Sequence, residues 1–126
     1  MTTQKGNSVF FMVYEIVMQI PKGKVFTYGA ISKLINGRLS AQGVGWALNA
    51  LPERPKKLSD DSPKFHSGNV PWHRVINAKG QTSTSKRPDM PEDRQRRMLE
   101  SEGVIFSADA VDLDKYLWTG PRAKRS

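Results

Sequence analysis

The stretch of sequence that decides the fold is Val-Pro-Trp-His-Arg-Val-Ile-Asn, residues 70–77. Its apolar pair, Val75 and Ile76, is typical of a short extended segment that belongs to a hydrophobic core. An indole, an imidazole and a guanidinium group come directly before that pair, in Trp72, His73 and Arg74. The segment therefore places three chemically versatile side chains next to a short piece of core.

Length and hydropathy indicate a single globular unit. A chain of 126 residues is long enough to bury a hydrophobic core of its own. No apolar run approaches the roughly 20 residues that cross a bilayer, and residues 1–7 lack the apolar segment of a secretory signal. We therefore expect an intracellular protein with no membrane partner, nuclear if its source is eukaryotic and cytoplasmic otherwise.

The sequence contains no cysteine, and His66 and His73 are its only histidines. This composition excludes disulfides, thiolate metal ligands and any mechanism with a cysteine nucleophile. No spacing of histidines and carboxylates resembles a zinc site. We therefore expect neither a metal nor a cofactor.

The chain is strongly basic, with a formal net charge of +8. Such an excess favours an anionic partner, most often nucleic acid. A solvated basic surface that aids solubility is the alternative. A membrane-bound amphipathic helix fits less well, because the basic residues are scattered rather than gathered on one helical face.

Periodicity and capping residues predict three helices in the first half of the chain. The first runs over Val9–Ile20, after a flexible segment 1–8, and ends at Pro21. Thr27 is a candidate N-cap for a second helix to about Ile35, and Ser40 for a third to about Leu51. Two short helices joined by a turn that contains Asn36 and Gly37 are compatible with a helix-turn-helix.

The second half is less regular. Residues 52–69 are rich in Pro, Ser, Asp and Lys and predict an exposed loop insertion. A further helix is predicted to begin at Asp89 or Pro91 and to stop at Gly103. Residues 104–106 and 113–118 resemble strand-like or packing segments, and 119–126 form a basic tail. The chain is thus predicted to be a predominantly α-helical α/β protein, with one small domain over residues 9–118.

With these elements in place, the run Pro71-Trp72-His73-Arg74-Val75 resembles the Pro-Cys-His-Arg-Val site of the O6-alkylguanine-DNA alkyltransferases. Four fixed residues at this spacing match by chance in roughly one chain of this length in a thousand, so the motif is specific. With tryptophan at the cysteine position, the chain resembles the alkyltransferase-like proteins in particular. The resemblance covers roughly residues 9–118 and implies the fold of the alkyltransferase C-terminal domain, with its helix-turn-helix.

The resemblance implies a lesion pocket rather than a catalytic centre. Trp72 has no useful nucleophile, since its indole nitrogen is only a donor. Instead it would provide an apolar floor for a flipped, alkylated base. The relay positions of the enzymes fall on His73 and Glu102, which are expected to form a structural hydrogen-bonded pair, and Arg74 is expected to pin loops. The residues that would line the pocket are Trp72, Tyr28, Pro71, Val75, Asn77 and Arg87.

The resemblance also implies a DNA-binding face that includes the third helix. Tyr28 would press on the DNA backbone beside the flipped nucleotide. The family usually has an arginine wedge where this chain has Gln42, and Arg38 is a candidate substitute. The small residues of the third helix are compatible with close approach to DNA or with tight helix packing. The loop that contains Lys86 and Arg87 is compatible with DNA contact or with simple exposure to solvent. The proposed DNA-binding residues are Tyr28, Ala41, Gln42, Gly43, Gly45, Asn49, Arg38 and Lys86.

The function expected from this resemblance is recognition of O6-alkylguanine in duplex DNA. The protein would bind the minor groove as a monomer, flip the damaged base and flag it for nucleotide excision repair proteins, without alkyl transfer. One alternative is an enzyme with a different nucleophile, such as a histidine or a carboxylate. The other is a general DNA-binding module without lesion preference.

Overall fold

The computed structural model describes residues 4–52, 55–57, 59, 62–82 and 94–121. Over these ranges the chain is a small, predominantly helical domain, as predicted. The helices are α1 (Gln4–Val17), α2 (Tyr28–Leu34), α3 (Ala41–Asn49), α4 (Arg94–Ser101) and α5 (Leu113–Tyr116), with a 3-10 turn at Trp72–Arg74. The strands are β1 (Phe26–Thr27), β2 (Val75–Ile76), β3 (Phe106–Ser107) and β4 (Ala110–Val111). None of the helices in these ranges is both long and apolar enough to cross a membrane.

Helix α1 buries one apolar face against α3. Val13, Tyr14 and Val17 recur at helical spacing and are buried, and the Tyr14 hydroxyl donates a 2.6 Å hydrogen bond to the Ala47 carbonyl. The helix begins at Gln4, five residues earlier than its predicted start. It ends at Val17, and a turn rather than regular helix leads to Ile20.

Both predicted N-caps are present in the helix pair α2–α3. The Thr27 hydroxyl accepts a hydrogen bond from the Ala30 amide at 3.1 Å, and the Ser40 hydroxyl accepts one from the Gly43 amide at 3.0 Å. Each cap satisfies one of the amides that a helix N-terminus leaves without a partner. The intervening turn passes through left-handed conformations at Asn36 and Gly37, which end α2.

A two-residue parallel ladder joins the two halves of the domain. Phe26 of β1 pairs with Val75 of β2, and Thr27 pairs with Ile76. Strand β1 leads directly into α2, and β2 directly follows the 3-10 turn. The ladder therefore fixes the N-terminus of α2 beside the Trp72–Arg74 turn.

The structure corrects the prediction of an exposed loop over residues 52–69 at its C-terminal end. Phe65 and His66 are buried, at 6% and 7% exposure. The Phe65 ring lies 5.3 Å from the Tyr14 ring and 5.1 Å from the Phe11 ring. Packing of this one aromatic side chain against α1 therefore makes the end of the loop part of the core.

The C-terminal region also differs from its prediction. Residues 113–118 were expected to be strand-like or packing segments. Residues 113–116 form the one-turn helix α5, because the Asp112 carboxylate caps the Asp114 amide at 3.0 Å, and Tyr116 and Trp118 pack against the domain. Strands β3 and β4 pair in an antiparallel ladder. The predicted stop of α4 is confirmed, with Gly103 at φ +97°. The predicted start at residue 89 or 91, and residues 122–126 of the tail, lie outside the described ranges.

Candidate functional site

Trp72 is presented by a compact turn at the edge of the core. Pro71 has φ −76° and ψ 66°, the geometry of an inverse γ-turn, and the Trp72 amide donates to the Val70 carbonyl at 2.7 Å. The 3-10 turn then begins, which leaves the Trp72 indole half-buried. Its ring meets the His73 ring edge to face, with centroids 6.0 Å apart. Val75, predicted as a pocket residue, is fully buried in β2 and belongs to the core behind this turn.

Next to Trp72, three residues form a closed hydrogen-bonded network. His73 Nε2 lies 2.8 Å from Glu102 Oε2, while Arg74 donates from Nε to Oε1 at 2.9 Å and from Nη2 to Oε2 at 2.7 Å. Arg74 Nη1 also donates to the Ile20 carbonyl at 2.7 Å. Arg74 therefore connects the turn after α1, the 3-10 turn and the end of α4, in the loop-pinning role predicted for it.

The network keeps Glu102 ionised and His73 neutral near pH 7. Burial raises the pKa of Glu102, but the hydrogen bonds from Arg74 and His73 outweigh burial and lower that pKa to about 2. Burial lowers the pKa of His73, against the opposing effect of Glu102. Because the carboxylate can only accept, His73 Nε2 carries the proton. His73 Nδ1 is then an acceptor, and it is buried without a hydrogen-bond partner among the described residues.

Gln95 supports this turn and was not identified from the sequence. Its side chain is buried in α4, and Nε2 donates to the carbonyls of His73 at 3.1 Å and Val75 at 2.8 Å. Both carbonyls belong to the segment that carries Trp72. The available signal was weak: an uncharged polar residue that stands between two arginines at the start of Arg94–Ser101.

The outer face of α3 carries four of the eight residues predicted to contact DNA. Ala41, Gln42 and Asn49 are exposed, whereas Gly45 is half-buried and faces the Tyr28 ring, from which an added Cβ would lie 3.8 Å. Tyr28 is the first residue of α2 and packs partly against the core. These residues form one continuous surface across the α2–α3 pair.

Two residues predicted for this face are placed elsewhere. Gly43 is buried, and an added Cβ would lie 3.1 Å from Leu39 Cδ2, so its small size serves packing against the preceding turn. Arg38 is exposed, but its Nη1 lies 3.9 Å from Met12 Sδ on α1. Lys86 and Arg87 lie outside the described residues.

Asn77 lies just beyond β2 and is half-buried. Its side-chain oxygen accepts hydrogen bonds from the amides of Lys79 at 2.9 Å and Gln81 at 3.0 Å. Gly80 closes this turn at φ +82°, where a Cβ would lie 2.5 Å from the Val111 carbonyl oxygen. The Asn77 side chain therefore stabilises the turn after β2 by accepting hydrogen bonds from the main chain of that turn.

Sequence comparisons identify relatives of this chain. Residues 9–104 match the model of the 6-O-methylguanine DNA methyltransferase DNA-binding domain. The DNA base-flipping protein of Escherichia coli is 37% identical over 116 residues, which cover 91% of this chain and 78% of that protein. Alkyltransferase-like protein 1 of Schizosaccharomyces pombe is 37% identical over 111 residues, or 84% of this chain and 90% of that protein.

Solved structures agree with these relatives. S. pombe Atl1, in complex with damaged DNA containing O6-carboxymethylguanine, matches 90% of this chain and 96% of its own, with a TM-score of 0.65 and 34% identity. Mycobacterium tuberculosis OGT in complex with DNA matches 75% of this chain and 48% of its own, with a TM-score of 0.53 and 26% identity. The chain therefore belongs to the family of the 6-O-methylguanine DNA methyltransferase DNA-binding domain, as an alkyltransferase-like protein.

Proposed function

We propose that this protein binds duplex DNA containing O6-alkylguanine, flips the damaged base onto Trp72 and accepts no alkyl group. The observation that carries the proposal is the indole of Trp72, which stands half-buried beside the His73–Glu102 pair. An indole offers a flat apolar surface for a base and its alkyl substituent. It offers no atom that can displace an alkyl group from oxygen.

The neighbouring groups favour binding over chemistry. Arg74 and His73 occupy both oxygens of the Glu102 carboxylate, and a pKa of about 2 makes that carboxylate a very weak base. The sequence has no cysteine that might serve as an alternative acceptor. The chemistry of the site therefore supports a receptor for the lesion.

The α2–α3 surface is the proposed contact with the minor groove. The α2–α3 pair, residues 28–49, contains the exposed Lys33 and Arg38 and no Asp or Glu, which favours contact with a phosphate backbone. Tyr28, at the start of α2, is proposed to hydrogen-bond a phosphate beside the flipped nucleotide. Gln42 is proposed to fill the gap in the base stack and to hydrogen-bond the unpaired cytosine.

A titration of matched duplexes tests lesion recognition. The wild-type protein should bind a duplex with one O6-methylguanine more tightly than the same duplex with guanine, at one fixed salt concentration. Trp72→Ala should reduce that ratio, and Trp72→Phe, which keeps a flat ring, should retain part of it. Equal wild-type affinity for both duplexes would instead identify a general DNA-binding module.

Mass spectrometry tests the absence of transfer. After incubation with the O6-methylguanine duplex, the protein should keep its mass and the duplex should keep its methyl group. A methyl group found on His73, Glu102 or any other residue would show that the protein is an enzyme with another nucleophile.

The bound protein is further proposed to act as a monomer that flags the lesion for nucleotide excision repair proteins. A reconstituted excision reaction on the O6-methylguanine duplex should then give more incision when the protein is present. Trp72→Ala should abolish the gain, and a wild-type protein that leaves incision unchanged would contradict this step.

A further inference from the structure

The most exposed aromatic side chain among those described is Trp46, on the outer face of α3. It is 61% exposed, whereas Trp72 and Trp118 are half-buried and lie against the rings of His73 and Phe26. Within the described ranges, no aromatic ring or cation packs on the Trp46 indole. Tryptophan is enriched among the surface residues that partners cover and that contribute most of the binding energy.

The position of Trp46 on the helix shows what surrounds it. Gln42 lies one turn before Trp46, and Asn49 lies one turn after it, and both amide side chains are exposed. The opposite side of α3 packs into the core, where Val44, Ala47 and Leu48 are buried. The outer side is therefore a ridge of amide, indole and amide groups, which we call the α3 ridge (Gln42, Trp46 and Asn49).

The charge around the α3 ridge indicates the kind of partner. The α2–α3 pair, residues 28–49, carries the exposed basic residues Lys33 and Arg38 and contains no acidic residue. A positively charged surround with exposed amides suits the phosphates, sugars and base edges of DNA. Contacts to the sugars and phosphates of a duplex carry no sequence information, so an aromatic ring against the sugars adds apolar contact with any duplex.

We propose that Trp46 packs its indole against the deoxyribose wall of the minor groove and so anchors α3 on any duplex. The proposal rests on the proposed function for its choice of DNA as the partner. Trp46 and Trp72 then have separate tasks. Trp72 adjoins the His73–Glu102 pair and determines lesion preference, whereas Trp46 lies on a different element and adds the same affinity with or without a lesion.

Substitution of Trp46 separates the two tasks. Trp46→Ala should weaken binding to the guanine duplex and to the O6-methylguanine duplex by about tenfold each, equivalent to about 1.4 kcal/mol. The ratio of the two affinities should stay unchanged, and Trp46→Phe should lose less than Trp46→Ala. Ile105→Ala is the matched control, because Ile105 is 65% exposed on a different part of the domain and its removal should leave both affinities unaltered.

The outcomes distinguish this inference from the proposed function. Unchanged affinity of Trp46→Ala for both duplexes overturns the inference and leaves the lesion preference of the wild-type protein intact. A loss confined to the O6-methylguanine duplex also overturns it, because Trp46 would then act on the lesion. If the wild-type protein shows no lesion preference but Trp46→Ala still weakens binding, the proposed function fails and the anchoring contact remains.

Fluorescence gives an independent readout of the same contact. The wild-type protein should contain an emission component that acrylamide quenches readily, and Trp46→Phe should lack it. Saturation with the unmodified guanine duplex should protect that component from acrylamide. A component that stays fully accessible in the complex contradicts the proposal, whatever the affinities are.

Discussion

Arg74 and Glu102 form a two-point ion pair next to the turn that carries Trp72, with N–O distances of 2.9 and 2.7 Å. The fork of a guanidinium matches the two oxygens of a carboxylate, which makes this geometry stronger and more specific than a single contact. The Glu102 side chain is only 11% exposed, so solvent screens the pair weakly. Since His73 also binds Glu102 Oε2, the orientation of the His73 ring depends on the Arg74–Glu102 pair.

The first prediction is a loss of stability in acid. The pKa of Glu102 is lowered from an ordinary 4.5 to about 2, so its contribution is complete above pH 4.5 and is lost as the pH falls through about 2. The difference corresponds to on the order of 3 kcal/mol of unfolding free energy. The lowered pKa of His73 acts in the same direction, because the unfolded chain takes up that proton first as the pH falls below 6.5.

Urea unfolding of wild-type protein and Glu102→Gln at several pH values measures this contribution. The variant should be less stable at pH 7, because it leaves Arg74 without its carboxylate, and the difference should shrink as the pH falls below 4.5. Glu100→Gln is the control, since Glu100 is 45% exposed in the last turn of α4, two residues before Glu102, and should leave the pH profile close to that of the wild-type protein. A constant difference between Glu102→Gln and the wild type at all pH values would contradict the prediction.

The second prediction concerns Gln95, which supports the backbone beneath Trp72. Gln95→Leu keeps the size of the side chain but leaves the carbonyls of His73 and Val75 without these donors, and each unsatisfied buried group costs about 1–3 kcal/mol. We expect a loss of stability of at least about 2 kcal/mol by chemical denaturation. Arg94→Leu, an exposed change on the same helix, should cost far less. Equal effects of the two substitutions would remove the role assigned to Gln95.

The third prediction tests whether the N-terminus of α3 lies beside DNA, by changing helix capping and charge separately at Ser40. Ser40→Ala removes the N-cap and should cost about 1 kcal/mol of stability. Ser40→Asn and Ser40→Asp both retain a capping oxygen and should keep near wild-type stability. Only Ser40→Asp places a negative charge beside the proposed DNA surface, so it alone should weaken DNA binding, most strongly at low salt. Equal DNA affinity of the Asn and Asp variants would place Ser40 away from the DNA.

The fourth prediction concerns Gln42, which is exposed near the start of α3. If its side chain enters the base stack, Gln42→Arg should tighten binding by adding a positive charge. The slope of log affinity against log salt should steepen by about 1. The comparison variant is Lys33→Gln, which changes a charge on α2 and should alter affinity without affecting lesion preference. A Gln42→Arg protein with wild-type affinity and salt slope would exclude Gln42 as the wedge.

Local signals made the helical half of the fold predictable. Thr27 and Ser40 cap their helices through hydroxyls that bond to amides three residues away, so each cap is encoded within one turn of chain. The pairing of Phe26 with Val75 joins residues 49 positions apart through two-residue strands, which leave no periodic pattern in the sequence. Phe65 is a single aromatic residue in a polar segment, and only the space beside Tyr14 and Phe11 determines that it is buried.

The parts of the candidate site that could be predicted are the contacts made by residues of the Pro71–Val75 motif. The contact of His73 with Glu102 and the connecting role of Arg74 follow the expectation from the resemblance. Gln95 was missed because its two hydrogen bonds go to backbone carbonyls, which no side-chain motif records. Gly43 was assigned to the DNA face because the spacing of small residues does not distinguish an outer surface from close packing against Leu39.

The two rungs of the β1–β2 ladder tie together two residues of the proposed lesion pocket, Tyr28 and Trp72. Tyr28 directly follows β1 and Trp72 precedes β2 by three residues, so main-chain pairing holds both side chains to one short scaffold. The ladder therefore fixes the main-chain separation between the first residue of α2 and the turn that carries Trp72. Substitutions at Trp72 or Tyr28 change the side chains on this scaffold and leave that separation as it is.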